Sequence, residues 1–332
     1  MTAVTTSAFD EAAAAIGTTA HLDVPLAPFT TYRVGGRAAV LARPHSVADL
    51  ERIAGARSAT GLPLIVVGKG SNMLVADAGF AGIAVTLADL EMSDGAEQEG
   101  FVVVTYGDAS EIVVDVPGAA SLPSLARRLA SAGIVGFEWA VGIPGSIGGA
   151  VKMNAGGHGA DMAAVLVDVT MASIGAPSRL RAHVVAADDL QLRFRSSAVA
   201  DDQIVLSARL ALERGNAEPA MTRISEIVRW RREHQPGGQN CGSVFVNPVP
   251  GEVSAGLLID GLGLRGLQIG GAWVSEKHAN FIQSSPDGRA ADVLAVMEHV
   301  RSAVAESTGF QLRSEVRLVG FDGVTSVGES HR

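Results

Sequence analysis

The sequence predicts an α+β protein with a sizeable core. Hydrophobic residues make up 47% of the 332 residues, which is enough to bury such a core. Short β-branched runs typical of strands, such as Leu64–Val67, occur between segments with helical periodicity, and their order does not alternate uniformly. At ~150 residues per domain, this length favours about two domains.

Charge and cysteine content exclude several function classes. Lys and Arg total 26 against 35 Asp and Glu, a net charge of −9, so we predict no nucleic-acid partner. Cys241 is the only cysteine, which excludes an internal disulfide and is compatible with a reducing compartment. The eight histidines show no metal-ligand spacing, so we predict no metal.

The N-terminal sequence does not resemble a signal peptide. It carries Asp10 and Glu11 and lacks a basic region before an apolar one. No 18-residue stretch is apolar enough to span a bilayer. We therefore predict a cytoplasmic protein without a membrane partner.

The first 88 residues are typical of a small α/β unit. Residues 1–20 are rich in Ala and Thr and predict a loose or short helical lead-in, and 23–43 is extended with a break at Gly35-Gly36. Ser46 is a suitable N-cap for the helix that follows. Strands are expected at 64–67 and around 83–85.

The middle of the chain predicts more strands and one helix. The glycine-rich stretch 133–159 keeps an apolar character, whereas flexible linkers are polar, so we expect it to be ordered. Apolar spacing predicts a helix over 123–132. Strands are expected at 102–106, 112–116, 165–172, 180–186 and 204–212.

A break in the pattern at 215–219 predicts a domain boundary. After it we expect a charged helix at 219–233 and a long helix at about 290–307 whose end is set by Gly309. A strand at 243–246, a short helix at 256–262 and a last strand at 315–319 complete this region.

Two glycine-rich segments are candidates for holding a phosphorylated ligand. Glycine lets backbone N–H groups approach phosphate oxygens, and hydroxyl and amide side chains add donors. The spacing of 68–72 fits neither the P-loop nor the dinucleotide fingerprint, and an ordinary strand-exit turn explains this segment alone. A tight packing corner explains 142–149 alone. Two in one chain favour an extended ligand with a diphosphate. The first is Gly68-Lys69-Gly70-Ser71-Asn72, and the second is Gly142-Ile143-Pro144-Gly145-Ser146-Ile147-Gly148-Gly149, with seven backbone N–H groups.

Three further segments carry reactive side chains without a decisive pattern. Cys241 is typical of a small packed residue and Ser243 of a surface hydroxyl. The segments 193–197 and 314–317 are typical of solvated strand edges when each is considered alone.

Taken together, seven segments resemble the UDP-N-acetylenolpyruvoylglucosamine reductase family, and they occur in that family's order. The resemblance covers about residues 25–320, and seven segments in register are highly specific. They are TTYRVGG at 30–36, VVGKGSNML at 66–74, GIPGSIGGAVKMNAG at 142–156, FRSS at 194–197, CGSVFVNP at 241–248, GLLIDGLGLRGLQIGGAWVSEKHANFI at 256–282 and SEVRLVG at 314–320.

The resemblance implies a two-lobed FAD-binding domain of the vanillyl-alcohol-oxidase type, followed by an α+β substrate-binding domain. The sequence looks like the compact type II branch, because 214–235 lacks the tyrosine of the longer branch. The implied domains are an N-terminal extension (1–22), two FAD-binding lobes (23–88 and 89–214), the substrate-binding domain (215–322) and a tail (323–332).

The resemblance also implies FAD as the cofactor, with 68–72 at its pyrophosphate and 142–149 along the rest. No histidine occurs in 66–77, which favours non-covalent binding. The expected cofactor-binding residues are Tyr32, Gly68, Lys69, Gly70, Ser71, Asn72, Gly142, Ile143, Pro144, Gly145, Ser146, Gly148 and Gly149.

The implied reaction is a hydride relay in two stages. NADPH reduces FAD, which then gives hydride to C3 of the enolpyruvyl group of UDP-N-acetylglucosamine enolpyruvate, while a proton reaches C2. Ser243 matches the proton donor, Arg195 the arginine that holds the substrate carboxylate, and Glu315 the acid that helps hold or polarise it.

Three further residues match substrate-binding positions of this family. Asn247 and Arg265 fall where the family places groups near the UDP diphosphate. His234 stands where lysine is usual, and His158 replaces a common aromatic residue.

Two other functions stay open at this point. One is another FAD-dependent oxidase of the same fold class, which would react with O₂. The other is a non-catalytic module that binds nucleotide sugars and needs no FAD.

Overall fold

The computed structural model describes residues 6–90, 101–104, 111–175 and 180–321. The predicted tail at 323–332 and the end of the predicted strand 102–106 lie outside these residues. The helices are α1 (Thr6–Ile16), α2 (Val47–Thr60), α3 (Leu122–Ser131), α4 (Ile147–Met153), α5 (Ala217–His234), α6 (Ala255–Gly261) and α7 (Ala290–Thr308). Short 3-10 turns cover Ala27–Phe29, Glu138–Gly142, Met162–Ala164 and Ala187–Leu190.

The strands form several separate sheets, most of them antiparallel. In chain order they are β1 (Ala20–Pro25), β2 (Arg37–Ala42), β3 (Leu64–Val66), β4 (Met73–Val75), β5 (Phe80–Val85), β6 (Val102–Val104), β7 (Glu111–Pro117), β8 (Ile134–Val135), β9 (Gly156–Gly157), β10 (Ala160–Asp161), β11 (Leu166–Ser173), β12 (His183–Ala186), β13 (Gln203–Arg214), β14 (Gln268–Ile269), β15 (Ala272–Val274), β16 (Ile282–Ser284) and β17 (Arg317–Val319). The sheet orders are β1-β2-β5-β3, β12-β11-β13-β7-β6 with β8 on β13, β14-β15-β16, β17-β4 and β10-β9.

Most of the predicted elements are confirmed to within a few residues, including the helices α2, α3, α5 and α7. The Ser46 side chain accepts a hydrogen bond from the N–H of Asp49, which completes the predicted cap of α2. The predicted strand at 243–246 is wrong. Only isolated bridges occur there, Ser243 with Phe281 and Phe245 with Ser314.

The chain divides into two compact units, and neither is continuous in sequence. The first comprises 1–22, 40–69 and 82–231. The second comprises 23–39, 70–81 and 232–332.

The first unit contains two apolar clusters. One forms around α3, α4 and the large antiparallel sheet, where Leu125, Leu129 and Ala208 are buried. The other includes α2 and the lead-in helix α1, because Ala12 and Ile16 are fully buried there. The described part of the predicted N-terminal extension therefore contributes to a core.

The core of the second unit is centred on α7. The apolar face of this helix is buried at every member: Val293, Val296, Met297, Val300 and Val304. Tyr32 and Leu74, which come from distant parts of the sequence, pack into the same cluster.

These units do not follow the linear ranges expected from the sequence. The segments 23–39 and 70–81 belong to the C-terminal unit because β4 pairs in parallel with β17 and Tyr32 lies in its core. The second unit resumes at 232 rather than near 215. The functional domains and lobes stay a prediction.

Among the described residues, we find no helix long and apolar enough to cross a membrane.

Asp77 caps the start of α7 from a distant part of the chain. Its carboxylate oxygens accept hydrogen bonds from the N–H groups of Ala290 at 2.9 Å and Ala291 at 3.1 Å. Because the first N–H groups of a helix have no partner within it, we expect Asp77→Ala to lower the free energy of unfolding by about 1–2 kcal/mol. Urea unfolding measures this loss. Asp287→Ala, which removes an exposed acid of the preceding loop, is the control and is expected to change stability by less than about 0.5 kcal/mol.

Candidate active site

The first glycine-rich segment lies between β3 and β4, at the predicted strand exit. At Gly68, a Cβ atom would stand 2.7 Å from the Ser146 hydroxyl oxygen, so the first unit brings Gly68 of the first segment next to Ser146 of the second segment. Gly70 has φ +56°, and a Cβ there would stand 2.1 Å from the carbonyl oxygen of Phe29. Backbone geometry and close contacts therefore require glycine at 70 and favour it at 68.

The second glycine-rich segment is only partly a loop, because α4 begins at Ile147. Ser146 is its N-cap, and the hydroxyl accepts a hydrogen bond from the N–H of Gly149 at 3.3 Å. The N–H groups of Ile143, Ile147 and Gly148 donate to backbone carbonyls of the chain at 2.8–3.0 Å. The expectation that all seven N–H groups could line a ligand is therefore wrong. Contact with the cofactor stays a prediction for the expected residues of this segment, which are Gly142, Ile143, Pro144, Gly145, Ser146, Gly148 and Gly149.

A cluster of basic and aromatic side chains packs against Gly142. A Cβ atom on Gly142 would stand 3.0 Å from Nε2 of His158 and 3.3 Å from Cδ of Arg231. The rings of His158 and Trp230 form a T-shaped contact with 5.2 Å between their centroids. Burial lowers the pKa of His158, and the charges of Arg231 and Arg223 lower it further. Burial also lowers the pKa of Arg231. This favours a neutral imidazole next to a partly desolvated guanidinium.

Arg195 lies at the tip of a tight turn in the first unit. Arg193 and Ser196 form a β-bridge across the turn, and Arg195 has φ +56°, a conformation that costs energy for a residue with a Cβ. Its guanidinium donates from Nη1 to the carbonyl oxygen of Gly156 at 3.5 Å. The structure thus brings Arg195 to the end of the segment 142–156.

Ser243 and Glu315 are held together within the second unit. The N–H of Glu315 donates to the carbonyl oxygen of Val244, the neighbour of Ser243, at 2.7 Å. Asn72 donates from Nδ2 to the carbonyl oxygen of Glu315 at 2.8 Å, and its own carbonyl oxygen accepts from the N–H of Arg317 at 3.0 Å. The parallel pairing of β4 with β17 explains why Asn72 meets Glu315 and Arg317. Both candidate side chains are half-buried, as expected for groups that must reach a ligand.

Cys241 and Tyr32 form a buried pair behind Ser243. Burial raises the pKa of Cys241 to about 12, the nearby Tyr32 hydroxyl opposes this, and the charge of Glu315 adds to it. Burial raises the pKa of Tyr32, and the nearby Cys241 side chain raises it further. Both groups are therefore neutral near pH 7. Tyr32, expected to contact the cofactor, is fully buried in the core of its unit.

We expect the native Cys241 thiol to resist alkylation, because only the thiolate is nucleophilic. With a pKa of about 12, roughly one thiol in ten thousand is ionised at about pH 8. The unfolded thiol has a pKa of about 8.5. The contribution of the buried neutral thiol to the free energy of unfolding is therefore complete below that pH, and it is lost as the pH rises toward about 12. Iodoacetamide labelling with and without urea, followed by mass spectrometry, measures the difference. Equal labelling rates would contradict the expectation.

The three predicted substrate residues have different surroundings. Oδ1 of Asn247 accepts from the N–H of Ala255 at 3.1 Å, at the start of α6. Arg265 forms a two-pronged ion pair with Asp260, with Nη2 at 3.0 Å from Oδ2, and the hydrogen bonds raise the pKa of Arg265. His234 is exposed at the end of α5. Their assignment to substrate stays a prediction.

Sequence reasoning did not single out Asn280 or Arg231. Asn280 is buried and bonds to the backbone next to Ser243, and Arg231 packs against Gly142. In the sequence, the only signals are that Asn280 lies in the segment 256–282, which resembles the family, and that Arg231 lies a few residues before Gly237-Gly238. Within the ranges that the structure describes, no group of three or more His, Cys, Asp or Glu residues could hold a metal ion.

Two family models match the chain. Residues 234–319 match the C-terminal domain of UDP-N-acetylenolpyruvoylglucosamine reductase, and residues 38–173 match an FAD binding domain. The second match contains both glycine-rich segments, and the first contains Ser243 and Glu315.

Curated relatives align over nearly their whole length. The UDP-N-acetylenolpyruvoylglucosamine reductase of Synechococcus sp. (strain RCC307) is 40% identical over 90% of this chain and 93% of its own. The protein of the same name from Gloeobacter violaceus is 40% identical over 90% of this chain and 95% of its own.

A solved structure has the same fold. The UDP-N-acetylenolpyruvylglucosamine reductase of Thermus caldophilus superposes with a TM-score of 0.72 at 33% identity. The match covers 89% of this chain and 97% of the other.

Proposed function

This chain belongs to the UDP-N-acetylenolpyruvoylglucosamine reductase family, and we propose that Arg195, Ser243 and Glu315 carry out the chemistry of its active site. It is an FAD-dependent NADPH oxidoreductase that reduces UDP-N-acetylglucosamine enolpyruvate to UDP-N-acetylmuramate in peptidoglycan precursor synthesis. The predicted fold, an FAD-binding part followed by a substrate-binding part, is confirmed.

The glycine-rich segments have the character that an FAD site requires. The chain keeps glycine at 68 and at 142, where a side chain would occupy space next to Ser146 or against His158 and Arg231. When bound, FAD would supply the hydride-transfer chemistry that links NADPH to C3 of the enolpyruvyl group. We propose that Gly68, Ser146 and the exposed Lys69 hold its phosphates without a covalent bond, since no histidine occurs in 66–77.

Each proposed catalytic residue has one task. Reduction of the double bond adds a hydride at C3 and a proton at C2, and negative charge builds up on the adjacent carboxylate before that proton arrives. Ser243 donates the proton to C2. The planar guanidinium of Arg195 binds the carboxylate, and Glu315 helps hold and polarise it.

One observation carries the assignment of Ser243 and Glu315. The N–H of Glu315 donates to the carbonyl oxygen of Val244, at 2.7 Å, so the backbone fixes the proposed proton donor and the proposed acid next to each other. A surface serine and a solvated strand edge would not need this buried connection.

The single cysteine supports a reducing compartment, and we propose the cytoplasm as the site of action.

The substrate ligands are proposed to be Asn247, Arg265 and His234. For Arg265 this means that the ion pair with Asp260 opens or that the substrate binds to its remaining donors.

Rapid mixing tests the function against the oxidase alternative. We expect NADPH to bleach the flavin absorbance, the enolpyruvyl substrate to restore it rapidly, and O₂ to restore it slowly. Fast recovery with O₂ and none with the substrate would favour an oxidase, and a colourless protein would favour a binding module. Acid precipitation should release the flavin into the supernatant. Flavin that stays in the pellet would contradict non-covalent binding.

A further inference from the structure

Asn280 uses its side-chain amide as a substitute for a missing backbone pairing. It is 5% exposed. The N–H of Phe245 donates to its Oδ1 at 2.9 Å, and its Nδ2 donates to the carbonyl oxygen of Phe245 at 2.8 Å. Its own carbonyl oxygen accepts from the N–H of Val244 at 2.9 Å. One residue thus satisfies both polar backbone groups of Phe245 and one of its neighbour.

These bonds fix the segment that carries Ser243. The segment forms only isolated bridges, so no regular sheet sets its position. Phe245, two residues after Ser243, is 1% exposed and bound to Asn280, and Cys241, two residues before Ser243, is 7% exposed. Ser243 therefore lies between two buried residues that hold the backbone on either side of it.

The same segment also fixes Glu315. Val244 accepts the hydrogen bond from the N–H of Glu315, and Val246 donates to the carbonyl oxygen of Arg313 at 2.9 Å. A displacement of Phe245 would therefore shift Ser243 relative to Glu315. A shift of about 1 Å in a reacting group can cost ~10²-fold in rate.

We propose that Asn280 is a positioning residue for substrate reduction, which acts by holding the backbone of Phe245 and so the distance between Ser243 and Glu315. The inference rests on the proposed roles of these two residues. Asn280 itself does not contact the reacting atoms in this role.

Two variants test the role. Asn280→Ala removes both side-chain hydrogen bonds, and Asn280→Asp keeps the acceptor but places an oxygen against the carbonyl oxygen of Phe245. We expect the maximal rate of flavin reoxidation by the enolpyruvyl substrate to fall ~10–100-fold. The half-saturating substrate concentration should change less than about threefold, and so should flavin reduction by NADPH, because that step needs no proton at C2.

Val300→Ala is the matched control. It removes buried methyl groups from α7 in the same core, without a hydrogen bond to the segment, and it also lowers thermal stability. Both half-reactions should keep their rates in this variant well below its melting temperature. Hydrogen exchange adds a direct measurement, since the amide of Phe245 should lose protection in Asn280→Ala and keep it in Val300→Ala.

The outcomes separate this inference from the proposed function. If Ser243→Ala slows reoxidation and the Asn280 variants do not, or if the Asn280 variants slow both half-reactions equally, the positioning role is overturned. If Ser243→Ala leaves reoxidation unchanged, the proposed role of Ser243 fails first. The double variant Ser243→Ala/Asn280→Ala should be little slower than Ser243→Ala alone, and an additional ~10–100-fold loss would overturn the inference as well.

Discussion

Replacing Ser243 by Ala is expected to slow flavin reoxidation by the enolpyruvyl substrate by ~10²–10⁴-fold, the usual contribution of a positioned general acid. The substitution removes one hydroxyl from a half-buried side chain, and the bridge of residue 243 to Phe281 involves the backbone. The fold and the connection of Val244 to Glu315 should therefore persist. Flavin reduction by NADPH should stay within a few-fold of wild type, because hydride leaves NADPH without a proton transfer to C2.

Rapid mixing of each half-reaction measures this separation, and retained FAD and the melting temperature report on folding. Ser225→Ala is the control, because its hydroxyl only donates to the carbonyl oxygen of Met221 on the exposed side of α5. Equal slowing of both half-reactions would reject the role of Ser243, and so would unchanged rates of both. The family assignment would stand in either case.

The regular elements of the fold could be predicted because they depend on neighbours in sequence. The apolar spacing of α7 and the cap at Ser46 are local signals, and both are found in the structure. The parallel pairing of β4 with β17 joins Met73 to Arg317, and no local pattern indicates such a contact. The interleaving of the two units depends on contacts of this kind, so a linear boundary near 215 could not describe it.

The candidate site could be predicted as residue types but not as a hydrogen-bond network. Glycines at 68 and 142 were visible in the sequence, whereas the internal partners of the amides of Ile147 and Gly148 depend on distant carbonyls. Asn280 has no signature in sequence, since its function comes from a buried backbone that it meets only after folding.

Glu315→Gln is expected to slow the same reoxidation step by ~10²–10³-fold, the usual cost of removing an electrostatic group aimed at a reacting centre. Gln has the same shape, and the hydrogen bonds of residue 315 to Val244 and Asn72 use its backbone, so they should persist. Glu298→Gln, an exposed residue of α7, is the control with the same change in net charge. FAD content and the rate of reduction by NADPH should stay near wild type in both variants.

Cys241 supplies a second measurement of Glu315 that does not depend on turnover. The charge of Glu315 contributes to the pKa of about 12 at Cys241, after burial. Glu315→Gln removes this charge, so the pKa of the thiol should fall, and ultraviolet titration of the thiolate at high pH follows it. Glu298→Gln should leave that titration unchanged. A thiol pKa that falls while reoxidation keeps its rate would place the carboxylate next to Cys241 but remove it from the chemistry. Slow reoxidation with a lowered thiol pKa would support one carboxylate that acts on both the substrate and the buried thiol.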